Sequence, residues 1–172
     1  RPFAENLAEM NIAPIAVSYE YEPCDALKTQ EVYLLRKNGT YTKTANEDLN
    51  SIVTGIRQFK GRISYTFCPP ITETELTSCQ EAPHKERFRL LAEIIDRRIY
   101  SGYRLFKTNY MAYDLLEGTH RFAQQYSDED LKEFISYTDE RTSSLEGDRD
   151  ELQKIFLGIY ANPVRNCIDN NI

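Results

Sequence analysis

Two histidines, four cysteines and one tight run of acids are the residues of this chain whose types and spacing could carry chemistry. General acid–base work needs an imidazole within hydrogen-bond reach of a partner. His84 lies in Ala82-Pro83-His84-Lys85, at the polar start of a helix, and reads as a solvated residue. His120, in Glu117-Gly118-Thr119-His120-Arg121, follows Asp114 by nearly two helical turns, so an imidazole–carboxylate pair is open to it. No nucleophile accompanies it, and a structural or solvent role is expected. Cys24, Cys68, Cys79 and Cys167 form no Cys-x-x-Cys pair, which excludes zinc-ribbon and thioredoxin-type sites. They read as small core residues with reduced thiols, as in a cytosolic compartment. Asp148-Arg149-Asp150 lacks the remainder of a calcium loop and reads as charge at a helix start.

The bulk of the chain narrows the classes further. Its 172 residues are 41% hydrophobic and 28% charged, ordinary globular usage that argues against global disorder. A chain of this size buries about 70% of its unfolded surface, enough for a real core. The net charge of −6 comes without a dominant Lys/Arg cluster, so nucleic acid is not an expected partner. The longest apolar run, Ile12 to Val17, falls far short of the roughly 20 residues of a spanning helix.

The elements that must position these residues follow from periodicity. Phe3, Leu7 and Met10 predict a short helix. Ile12 to Val17 reads as a strand covered on both faces, with Pro14 at its start, a bulge or an edge. Asp25 is expected to cap a helix to about Arg36, and Lys37 to Thr40 a turn. Thr44-Ala45-Asn46-Glu47 predicts a capping box for a helix carrying Leu49, Ile52, Val53 and Ile56 and ending at Gly61. In the strand that follows, Ile63, Tyr65 and Phe67 oppose Arg62, Ser64 and Thr66. Thr72 to Pro83 reads as polar and turn-rich. Helices are then expected at about 85–100, after Ser127-Asp128-Glu129-Asp130, and through Leu152, Ile155, Phe156 and Ile159 to a stop before Asn162-Pro163.

The stretch from Tyr100 to Leu116 interleaves aromatics with Arg104 and Lys107. Two readings apply. It folds over the core as packing, or it presents Tyr103 and Tyr110 to a lipid headgroup layer.

The order of Ala13-Pro14-Ile15, an amphipathic helix, and a strand from Gly61 to Pro70-Ile71 resembles the C-terminal half of the glycerolipid (1-acylglycerol-3-phosphate) acyltransferase domain. Ile12 to Cys24 and Ile94 to Leu116 are similar to a bacterial subgroup labelled as hemolysins. In that family a His-x4-Asp pair activates the acceptor hydroxyl, and a Glu-Gly-Thr-Arg motif holds the acceptor phosphate. Neither is matched here. His84 is followed by Arg89 and His120 by Gln125, and Glu117-Gly118-Thr119 has Arg displaced to Arg121, after the proline strand instead of before it.

The resemblance therefore implies an α/β fold: the C-terminal half of an acyltransferase domain over residues 1–80, two main strands with covering helices, then a helical extension over 81–172. It implies a cut at Arg1, with the reactive half of the same polypeptide upstream. No catalytic residue and no metal ligand carries over; Pro14 carries over as a wall of the acyl pocket. The parent would transfer a fatty acyl group from a thioester, acyl-CoA or acyl carrier protein, to a glycerol-phosphate-type acceptor in phospholipid synthesis. No cofactor is expected on this chain, which would be inactive alone. A cytoplasmic protein peripheral to the inner face of the membrane is expected, with a lipid substrate and the membrane surface as partners. The alternative is a non-catalytic lipid-surface or protein-docking module.

Overall fold

A computed structural model describes residues 2–172. The chain is 63% helical with one small antiparallel two-stranded sheet, a mixed α and β fold dominated by helix. In order, the elements are α1 (Phe3–Met10), β1 (Ile15–Tyr19), α2 (Asp25–Asn38), α3 (Glu47–Arg57), β2 (Ile63–Phe67), α4 (Glu73–Glu81), α5 (Arg87–Ser101), α6 (Lys107–Glu117), a short 3₁₀ turn (Ala123–Gln125), α7 (Asp128–Ser143) and α8 (Arg149–Asp169). They make two compact units, each drawn from several chain segments.

The first unit comprises residues 2–18, 64–104 and 166–172. Its core gathers Ile71, Leu76, Cys79 and Leu91, with Phe3, Leu7 and Ile12 packed against them. Leu76 and Cys79 come from α4, which occupies the segment expected to be turns. The helix was hidden by its composition, because its apolar stripe is narrow. Its start is nevertheless well built: Glu75 N–H donates to Thr72 Oγ1 at 3.3 Å and Thr72 N–H to Glu75 Oε2 at 2.8 Å, a reciprocal capping box.

The sheet is covered on one face only, where cover on both faces was expected for β1. Cys68 N–H donates to the Pro14 carbonyl at 2.9 Å, which sets Ile15 opposite Phe67 and Val17 opposite Tyr65 on one face. That face is exposed, while Ala16 on the other is buried. The strand is thus covered on one side only, and a continuous apolar run cannot reveal which side. The reason lies at the end of α5. A Cβ on Gly102 would stand 2.9 Å from Ala16 Cβ and 3.0 Å from Cys68 Sγ, so only small residues fit on the covered face. Ser18 shares it, accepting from Arg104 N–H at 3.0 Å.

The second unit comprises residues 19–63 and 105–165. Met111, Ala112, Phe134, Phe156, Tyr160 and Ala161 form its main core, and Tyr33, Leu152 and Ile155 a second cluster. Ser127 and Asp130 make the expected helix start, with Asp130 N–H donating to Ser127 Oγ at 3.1 Å and Ser127 N–H to Asp130 Oδ2 at 2.8 Å. Three expectations are corrected. Asp25 is the first helical residue, not the cap, which is Cys24. Glu47 bonds Thr44 N–H and Oγ1, yet no N–H returns to the Thr44 hydroxyl, and α3 ends at Arg57 instead of Gly61. Finally, α8 continues through Pro163 to Asp169. Proline removes one hydrogen bond there, but Tyr160, Ala161 and Val164 are buried on both sides of it, and packing overrides the local stop.

Among the described residues, no helix is long and apolar enough to cross a membrane.

Candidate functional site

Residues 12–14 and 68–71 run side by side in the first unit. Besides the Cys68–Pro14 bond, Ile71 N–H donates to the Ile12 carbonyl at 2.9 Å. Pro14 is buried immediately before β1 and gives the ladder a carbonyl without needing to give it an N–H. The strand end beyond it is clamped by Arg98. Its Nε donates to the Pro69 carbonyl at 2.8 Å and its Nη2 to the Pro70 carbonyl at 3.1 Å. The same guanidinium grips Glu75 with two bonds, 3.0 and 2.8 Å long, the bidentate geometry that makes such pairs strong. Held mainly by Arg98, the Glu75 carboxyl falls to about 2 from an ordinary 4.5. One cation thus fixes both the double-proline exit of β2 and the first turn of α4.

Beside that clamp an open cleft of about 380 Å3 runs along β2, between Phe67, Cys68 and Pro69 on one wall and Arg97, Ser101 and Gly102 on the other. Pro14 is not in its lining; it reaches the cleft at one remove, through its bond to Cys68. The Cys68 thiol donates to the Arg98 carbonyl at 3.3 Å.

The most concentrated polar cluster of the second unit centres on Asp25, which has no solvent exposure. Oδ1 accepts from Ala26 N–H at 2.7 Å and from Arg141 Nε and Nη2 at 2.9 and 2.6 Å. Oδ2 accepts from the hydroxyls of Tyr137 at 2.6 Å and Tyr160 at 2.8 Å. The Tyr160 hydroxyl in turn accepts Glu22 N–H at 3.0 Å. Burial, and then the Asp25 charge, drive the Tyr160 phenol far above its usual range; burial and the Asp25 bond do the same for Tyr137. Both phenols remain donors. A carboxylate has about four lone-pair sites, and five donors converge on this one. All of them come from the protein itself, and the cluster fastens the start of α2 to α7 and α8.

Asp114 is used the same way. It is buried and accepts from Thr119 Oγ1 at 2.8 Å, Phe122 N–H at 2.9 Å and Tyr126 OH at 2.8 Å. His120 is exposed and takes no part, so the open possibility of an imidazole–carboxylate pair is not realised. His84 is exposed too, as its place at a polar helix start suggested. All four cysteines are free, three of them buried. Burial pushes the Cys79 and Cys167 thiols up, away from the reactive thiolate form. Among the described residues no cluster of His, Cys, Asp and Glu is arranged to hold a metal ion.

The Tyr100–Leu116 stretch folds as packing. Phe106, Met111 and Ala112 are buried. The Tyr103 ring lies 5.6 Å from that of Tyr100, and the Tyr110 ring 5.0 Å from that of Phe122.

Sequence reasoning missed the Asp25 fastener and the Arg98 clamp. An Asp before a helical pattern is what a cap looks like, and neither Arg98 nor Arg141 differs in sequence from any helical surface cation. The one local signal was the richness in tyrosine, which supplies buried bodies with a polar tip.

No family model, curated protein or solved structure matches the chain.

Proposed function

We propose that these residues are the C-terminal portion of an acyltransferase that moves a fatty acyl group from a thioester donor to a glycerol-phosphate-type hydroxyl in phospholipid synthesis. The observation that carries the reading is the pairing of its two resembling segments. Ala13-Pro14-Ile15 and the Cys68 to Ile71 run bond directly to one another, with Pro14 buried at the junction. A sheet of two strands is marginal alone. Here it leaves Ile15, Val17, Tyr65 and Phe67 exposed on one face, which suits strands that belong to a larger sheet.

In this reading the general base and the phosphate-binding residues come from polypeptide outside the 172 residues, because no His-x4-Asp pair occurs within them. Pro14 and Cys68 would stand at the wall of the acyl site, with the cleft beside β2 continuing it. The chain would supply positioning and no proton transfer.

The test is acyl transfer from a long-chain acyl-CoA to lysophosphatidate, measured on the protein as the cell makes it and on these 172 residues alone. The expected result is turnover by the former, none by the latter, and altered acyl chain-length preference in Pro14→Ala. Lack of turnover by the cell's protein with acyl-CoA and with acyl carrier protein thioesters overturns the reading. The exposed apolar sheet face also favours a second one, a docking module without acyl chemistry, and that result would select it.

A further inference from the structure

Three of the four apolar residues on the α3 stripe are turned outward, while Val53 is half-buried. Leu49, Ile52 and Ile56 lie on one side of the helix and are 58%, 59% and 72% exposed; Phe59, just past its end, is 71% exposed. Amphipathic helices of globular domains normally turn this stripe to the core, and four large side chains in one place exceed the scattered exposure that needs no explanation.

Charge is distributed unevenly along the same helix. At its N-terminal end the acids are occupied: Glu47 accepts from Tyr41 OH at 2.5 Å and from Thr44 N–H at 2.8 Å, and Asp48 pairs with Lys43 at 2.7 Å. At the C-terminal end the cations are not neutralised. Arg57 makes no ion pair among the described residues, and Lys60 Nζ binds the carbonyls of Ile56 and Gln58 at 3.0 and 2.9 Å without a carboxylate. The two most exposed of these four large apolar residues, Ile56 and Phe59, thus alternate with two cations that have no carboxylate partner among the described residues, Arg57 and Lys60. The protein as a whole is acidic, so this end of α3 is a local exception.

We propose that α3 is an interfacial anchor for an anionic lipid surface, with Ile56 and Phe59 entering the headgroup–acyl boundary and Arg57 and Lys60 against the lipid phosphates. An apolar wedge flanked by cations is complementary to a bilayer surface, which offers hydrocarbon below a layer of negative charge. A protein groove would need matching acids beside each cation and a cavity for each side chain. The inference adds to the acyl-transfer reading and stands without it, since it uses only α3 and the residues just past its end.

Vesicle co-sedimentation tests it, with phosphatidylcholine vesicles and with vesicles that also contain phosphatidylglycerol. The 172-residue chain should sediment with the anionic vesicles, and weaken as salt rises. Arg57→Gln and Lys60→Gln should each reduce the partition coefficient about fivefold, and Ile56→Ser with Phe59→Ser should abolish it. Because the chain contains no tryptophan, Phe59→Trp gives a single reporter in an intact fold; its emission should shift to the blue and be quenched by brominated lipid. The proposal is overturned if the chain stays in the supernatant, if the apolar double variant binds as well as the parent, if neutral vesicles bind as well as anionic ones, or if the Trp emission is unmoved. A dimer in sedimentation velocity without lipid, lost in the apolar double variant, would assign the stripe to a second copy and overturn it equally.

Discussion

Arg141 sets two nitrogens, Nε at 2.9 Å and Nη2 at 2.6 Å, on a single oxygen of Asp25, a carboxylate wholly removed from water. The other oxygen is left for the two tyrosines. This division explains why an acid can sit in the second unit's interior: every lone pair has a donor, and the charge has its counter-ion. Removing one partner strands the other. Arg141→Met is expected to cost about 3–5 kcal/mol, the usual penalty for an uncompensated buried charge, read from urea denaturation. Lysine should restore only part of it, because a point charge replaces a planar fork. A loss under about 1 kcal/mol would mean that Asp25 is not the fastener described.

Asp114 and His120 give the opposite contrast. Tyr126→Phe removes one of three donors to a buried carboxylate and should cost about 1–3 kcal/mol. The Tyr126 phenol, raised to about 12 by burial and by its Asp114 bond, remains a donor throughout the neutral range. His120→Ala, outside the cluster, should stay within about 0.5 kcal/mol. Equal effects of the two variants would contradict the geometry.

The Arg98–Glu75 pair makes a prediction about acid. Glu75 titrates at about 2 when folded against an ordinary 4.5. A depressed carboxyl contributes stability that is fully present above its unfolded value and is lost as pH falls through the folded one. Stability should therefore decline from about pH 5 down to about pH 2, and Arg98→Met should flatten that decline while lowering stability at neutral pH. An Arg98→Met chain whose acid profile parallels the parent's would count against the clamp.

Gly147 tests the packing of the loop before α8. Its φ of +150° disfavours a side chain, and a Cβ there would meet the Tyr33 ring at 2.4 Å. The Tyr33 hydroxyl accepts Asp148 N–H at 3.0 Å, so the ring cannot swing aside without losing that bond. Gly147→Ala should destabilise by about 1–3 kcal/mol, and Tyr33→Leu in the same chain should recover part of the loss by making room. A neutral Gly147→Ala in thermal unfolding would refute the contact.

Thr72→Ala, removing the capping hydroxyl of α4, should cost about 1 kcal/mol, visible in thermal melts. No change would mean that α4 draws its stability from Leu76 and Cys79 alone.

Much of this protein was written locally. The 3.6-residue stripes in α1 and α5, the Ser127–Asp130 start of α7 and the alternation in β2 all follow from local sequence and need no partner. What sequence alone could not decide was which face of each element meets protein. Ile15, Val17, Tyr65 and Phe67 have every property of core residues, yet the close approach of Gly102 to Ala16 and Cys68 claims the small-residue face and leaves the large one outside. The same holds for most of the stripe on α3. Pro163 reads as a stop in one dimension, but burial of Tyr160, Ala161 and Val164 carries the helix past it. Asp25 reads as a cap until α7 and α8 bring Arg141, Tyr137 and Tyr160 to it. Local propensity amounts to a few tenths of a kcal/mol per residue, whereas burying a side chain or satisfying a buried charge amounts to several times that. Contacts between residues far apart in the chain therefore had the last word wherever the two disagreed.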